Sequence, residues 1–84
     1  MAKYKSLLEE KRTLEVTDTT EIKIDVNEKA KGNGRPHIDI RTFIHTDNYD
    51  GATKKGVNFD LEWFREFKDK LDDIEEELIE KGLL

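Results

Sequence analysis

The sequence predicts an α+β domain: four antiparallel strands forming a curved sheet, followed by one long C-terminal helix. Three observations lead there. Apolar and polar residues alternate over residues 13–17, 21–27 and 37–46. Glycine-rich or polar punctuation separates these runs. From Asp60 onward the apolar period changes to alternating threes and fours, the spacing of a helix face.

Eighty-four residues fit one domain with a small core. Only 35% are hydrophobic and 42% are charged. That balance approaches a disordered chain, but the clear apolar periods argue for a fold with a very polar surface. There is no cysteine, which excludes a disulfide framework and a cysteine metal site. The first residues hold no apolar run of signal-peptide length, and nowhere is there the run of about 18 apolar residues needed to span a bilayer. A cytoplasmic protein without membrane association is expected.

Residues 1–12 carry Tyr4, Leu7 and Leu8 at helical spacing, in a segment too short to be stable as an isolated helix. They read as an N-terminal arm or short helix ahead of a domain at 13–81. Leu14 and Val16 alternate in the first strand, and the polar Asp18-Thr19-Thr20 makes a tight connection. Ile22, Ile24 and Val26 then share one face of the second strand, completing a hairpin. Residues 29–36 are the strongest punctuation, a basic hairpin tip in which Gly32, Asn33 and Gly34 tolerate positive φ.

The third strand puts Ile38, Ile40 and Ile44 on one face and His37, Asp39, Arg41, Phe43 and His45 on the other. Residues 47–53 are expected as a loop and 55–59 as a short fourth strand. Asp60 is a helix N-cap, and Gly82 is a stop. Between them Phe64, Phe67, Leu71, Ile74 and Leu78 form a narrow apolar seam suited to a sheet, a partner helix, or both.

The net charge of −5 is unevenly spread. Residues 29–55 hold six basic and three acidic groups, whereas residues 60–81 hold four and ten. A polyanion can meet the sheet while the helix faces elsewhere, although an ordinary acidic domain with a mildly basic loop has the same asymmetry.

No residues combine into a catalytic nucleophile beside an oriented base, so no enzyme is predicted. His37 and His45 are eight positions apart on one strand, roughly 26 Å when extended, and cannot meet at one metal ion. The Gly-Asn-Gly tip lacks the strand-to-helix setting of a nucleotide loop, and residues 47–51 lack the ligand pattern of a calcium loop. Neither a metal nor a cofactor is implied. A single-strand binder needs cations along a groove and flat groups for unstacked bases. Lys29, Lys31, Arg35, Arg41, Lys54 and Lys55 are the candidate cations, with Phe43, Tyr49 or His45 as candidate platforms.

The run Ile38-Asp39-Ile40-Arg41, the aromatic Phe43 two positions on, the element Lys54-Lys55-Gly56-Val57 and an acidic helix with Phe64 near its start follow one another in order. Over residues 13–80 this resembles the C-terminal domain of the transcriptional coactivator positive cofactor four family and its small bacterial relatives. The resemblance implies non-catalytic binding of single-stranded or unwound DNA, in transcription regulation or genome maintenance. It implies contact with transcription machinery and, in a bacterium, association with the nucleoid. It also implies a homodimer joined by the helical seam, Phe64, Phe67, Leu71, Ile74 and Leu78, and part of the sheet.

In that family basic residues on curved antiparallel ribbons contact the backbone of single strands, and the arginine of the Ile-Asp-Ile-Arg element and the lysine before the loop glycine belong to that surface. These correspond to Arg41 and Lys55, with Lys54 alongside. The chain departs where the eukaryotic domain stacks bases: one aromatic position is Ile44, and the other falls at residues 29–31, which hold no aromatic. Backbone tracking does not itself select DNA over RNA. The principal alternative is a protein-interaction module of the same fold, its acidic helix recognising a basic partner; a more distant one is a small enzyme using the face of His37, Asp39 and Arg41.

Overall fold

The computed structural model describes residues 4–29 and 34–84, and of Tyr4, Lys5 and Lys29 the backbone alone. The strands are β1 (Tyr4–Ser6), β2 (Arg12–Glu15), β3 (Thr20–Lys29), β4 (Pro36–His45) and β5 (Asp50–Asp60). A 3-10 turn, Leu61–Trp63, leads into α1 (Phe64–Glu80). All pairings are antiparallel, in the order β1-β3-β4-β5, with β2 also on β3. Because β1 pairs residues 27–29 of β3 and β2 pairs residues 21–24, the two share one lane. The sheet is therefore four strands wide, and the α+β expectation of four lanes and one helix holds.

Register explains the two faces. Leu14, Ile22 and Thr42 stand in one row, Ile24, Ile40 and Val57 in the next, and Val26, Ile38 and Phe59 in a third. Cross-strand partners share a face, so these rows form one apolar side. The opposite face carries the rows Thr13, Lys23, Arg41, Gly56 and Asp25, Asp39, Asn58.

Two predictions are corrected. At Tyr4–Ser6 the N-terminal segment adds a short strand where an arm or short helix is expected. Residues 27–29 of β3 offer unpaired backbone groups that β1 satisfies, and Ser6 Oγ donates to Asp25 Oδ1 at 2.6 Å. Residues 7–11 then loop out opposite only two residues of β3 before β2 resumes the lane. The predicted loop at 47–53 contracts to a two-residue turn, Asp47-Asn48, closed by Thr46 N–H to the Tyr49 carbonyl at 2.7 Å. The fourth strand accordingly begins at Asp50. It contains a bulge, in which residues 53–55 stand opposite Thr42 alone.

Asp60, expected as the helix N-cap, caps the 3-10 turn ahead of α1, whose own start has no side-chain cap, while Gly82 is the expected stop. Asp60 Oδ1 accepts the Glu62 N–H at 3.1 Å. At the far end Gly82, at φ 73°, donates to the Ile79 carbonyl, while Leu83 donates to that of Leu78. This is a Schellman ending. The helix touches the sheet only near its root, where the Phe59 and Phe67 ring centroids are 5.2 Å apart.

Among the described residues Ile38 is the one buried hydrophobic side chain, while Leu71 is 50% and Ile74 54% exposed. The radius of gyration is 15.2 Å, against about 12 Å for a compact chain of this length. The helix projects from the sheet with most of its seam uncovered.

Candidate nucleic-acid interface

Strand alternation sends Phe43 to the polar side, away from the helix, while its neighbour Ile44 faces the apolar side. Glu21 is directly across from Phe43, which places Lys23 diagonally beside it. The Lys23 ammonium stands 4.8 Å from the ring centroid and that of Lys11 5.7 Å, both within cation–π range. Lys11 arrives from the far end of the looped-out segment. Sequence reading missed both lysines. Alternation alone places Lys23 on the right face, but its pairing with β4 depends on the length of the intervening turn, and Lys11 sits in a segment read as helical or mobile.

Arg41 is otherwise engaged. Its Nη2 and Nε donate to Asp39 Oδ1 and Oδ2 at 2.9 and 3.2 Å, and its Nη1 donates to the Thr53 carbonyl at 3.0 Å. Asn58 Nδ2 adds a long bond to Asp39 Oδ1. The guanidinium thus ties its own strand to the β5 bulge; an ordinary ion pair of Arg41 with a carboxylate is also open from the sequence, but its partner is on the same strand rather than across.

Lys54 and Lys55 lie in that bulge and are exposed. The bulge is held by Thr53 Oγ1, which donates to the Thr42 carbonyl at 2.9 Å and accepts the Lys55 N–H at 3.1 Å. Lys55 borders a hollow with Ile22, Ile40 and Val57, on the apolar side of the sheet. Arg35 is exposed at the start of β4, 3.7 Å from Asp60. Lys31 lies outside the described residues, and Lys29 contributes its backbone pairing with Tyr4. Among the described residues the predicted contacts are therefore not one patch: Phe43 and Arg41 share a face, Lys54 and Lys55 occupy the β5 edge, and Arg35 stands at the strand's far end.

His45 closes the other end of the polar face. Its Nε2 meets Glu21 at 2.5 Å and its Nδ1 meets Asp50, linking β3, β4 and β5. The hydrogen bond to Asp50, then that to Glu21, raises its pKa above the usual histidine value. Among the described residues no group of three or more histidine, aspartate or glutamate side chains is arranged to hold a metal ion. None of their helices is long and apolar enough to cross a membrane.

Of the predicted seam, Phe67 packs on Phe59 and Leu78 is half-buried, whereas Phe64, Leu71 and Ile74 are exposed. Compared with protein-family models, curated proteins and solved structures, the chain matches none.

Proposed function

We propose that the protein is a non-catalytic binder of single-stranded nucleic acid that works as a homodimer in the cytoplasm. The observation that carries this reading is the polar sheet face, free of the helix, on which the Phe43 ring lies beside the Lys23 and Lys11 ammonium groups. An aromatic platform with adjoining cations suits an unstacked base and its phosphates. Lys54 and Lys55 add a separate pair of exposed cations at the β5 edge. Single-stranded or unwound DNA during transcription or genome maintenance is the proposed target; RNA offers the same backbone chemistry.

The uncovered seam of α1 supports the dimer, because a stripe of Phe64, Leu71 and Ile74 left in water calls for a partner surface. It also favours a second reading, in which the helix recognises another protein and nucleic-acid binding is absent. Titration of single-stranded and duplex oligonucleotides over a salt series separates the two. The proposal expects tighter binding to single strands and a log-log salt slope of about −0.7 per phosphate neutralised. Lys54→Ala and Lys55→Ala should each make that slope shallower. Failure of the single strand to bind at low salt would hand the protein to the second reading.

A further inference from the structure

We propose that Phe43 is a base-stacking site covered in the free protein by Lys23 and Lys11, and that binding transfers both ammonium groups from the ring to backbone phosphates flanking the stacked base. This rests on the single-strand reading above and deepens it by assigning a subsite.

The carboxylate across from Phe43, Glu21, is bonded to His45. Asp39, four positions along β4 on the same face, is held by Arg41, while Glu15, across β3 from Phe43, is exposed at the outer lane. Lys23 and Lys11 have no ion-pair partner among the described residues and rest on the ring instead.

An ammonium on a partly exposed phenyl ring is weakly held. A phosphate holds it more strongly, and a stacked base gains more from the ring than an ammonium does. Both lysines have long flexible stems, so their heads can leave the ring while Lys23 stays in the β3 ladder. Lys11 arrives from the looped-out segment just before β2 and Lys23 from β3, so the two heads reach the ring from different segments. Departure opens the ring and places a cation beside it, one event serving base and backbone together.

The probes are an oligothymidylate of about ten nucleotides and a base-free deoxyribose-phosphate strand of the same length. In the free protein, proton NMR should show the ε-methylene resonances of Lys23 and Lys11 shifted upfield by the ring current. Oligothymidylate should return them toward ordinary positions, while the base-free strand, offering nothing to stack, should leave Phe43 without base contacts. Phe43→Leu should weaken oligothymidylate binding roughly fivefold to a hundredfold with the salt slope intact, and barely change binding of the base-free strand. Lys23→Met, which keeps the apolar stem, should make the slope shallower by about 0.7.

Oligothymidylate binding with unmoved lysine resonances would overturn the exchange while leaving single-strand binding standing. So would unchanged affinity in a folded Phe43→Leu protein. No binding of oligothymidylate at low salt would overturn both. The resonance measurement uses the native chain and stands even where a substitution impairs folding.

Discussion

Gly56 faces Arg41 across the β4–β5 ladder so closely that an added Cβ would stand 2.5 Å from the Ile40 carbonyl oxygen and 3.0 Å from Arg41 Cα. Both obstacles are backbone and have no rotamer by which to give way. The contact lies immediately beside the bulge at 53–55, where β5 must return to register. Gly56→Ala should lower stability by about 1–3 kcal/mol, as overpacking does. Urea unfolding should show an earlier midpoint, and an unchanged midpoint would mean that the strands part without cost.

Arg41→Ala should destabilise the fold as well as affect any ligand. It removes two bonds to Asp39 and one to the Thr53 carbonyl. The Arg41 and Asp39 side chains keep 26% and 20% exposure, so the expected loss is about 1–2 kcal/mol rather than that of a fully buried pair. Arg41→Lys should recover little, because one ammonium cannot reproduce the planar fork. Thermal melting without nucleic acid checks this, and wild-type stability in Arg41→Ala would show that the guanidinium is not a strut.

His45 gives the stability a pH dependence of known sign. Its folded pKa is raised above an unfolded value of about 6.5, so its contribution is complete below that pH and fades as pH rises through the folded value. Histidine NMR titration should place the midpoint above the ordinary one. Asp50→Asn should lower that midpoint more than Glu21→Gln, because the Asp50 hydrogen bond is the larger cause. A greater effect from Glu21→Gln would reverse the assignment.

Leu71→Asp distinguishes a covered seam from a solvated one. Leu71 is 50% exposed in the single chain, where a surface change costs within about 0.5 kcal/mol. In the proposed dimer the same change places a carboxylate in the interface and should dissociate it. Sedimentation over a concentration series should show a dimer for the native chain and a monomer for the variant; a native monomer at high concentration would remove the dimer.

The repeating parts of the fold were legible in sequence. The alternation of Ile22, Ile24 and Val26 with that of Ile38, Ile40 and Ile44 fixed two strands and their apolar side, and Asp60 and Gly82 marked the helical region's ends. β1 was hidden because three residues carry too little pattern, and their partner was an edge more than twenty positions away. The bulge at 53–55 follows from how β4 and β5 align, which no local period encodes. The site was legible in residue types more than in arrangement. Arg41 stands out along the chain by its charge and its place in the Ile-Asp-Ile-Arg element, yet Asp39 on its own strand engages it, whereas Lys23 and Lys11 meet Phe43 through a register invisible along the chain.

Both outer lanes of the sheet are interrupted, and this bears on what happens when molecules collide at high concentration. On one side β1 and β2 offer three and four residues separated by the looped-out segment. On the other, the bulge divides β5 into residues 50–52 and 56–60, with Lys54 and Lys55 at the break. A stray strand finds no long straight template on either side, and two lysines stand where it would have to lie. The irregular edges that spoil a simple strand pattern thereby guard a thinly cored protein against polymerising through its own sheet.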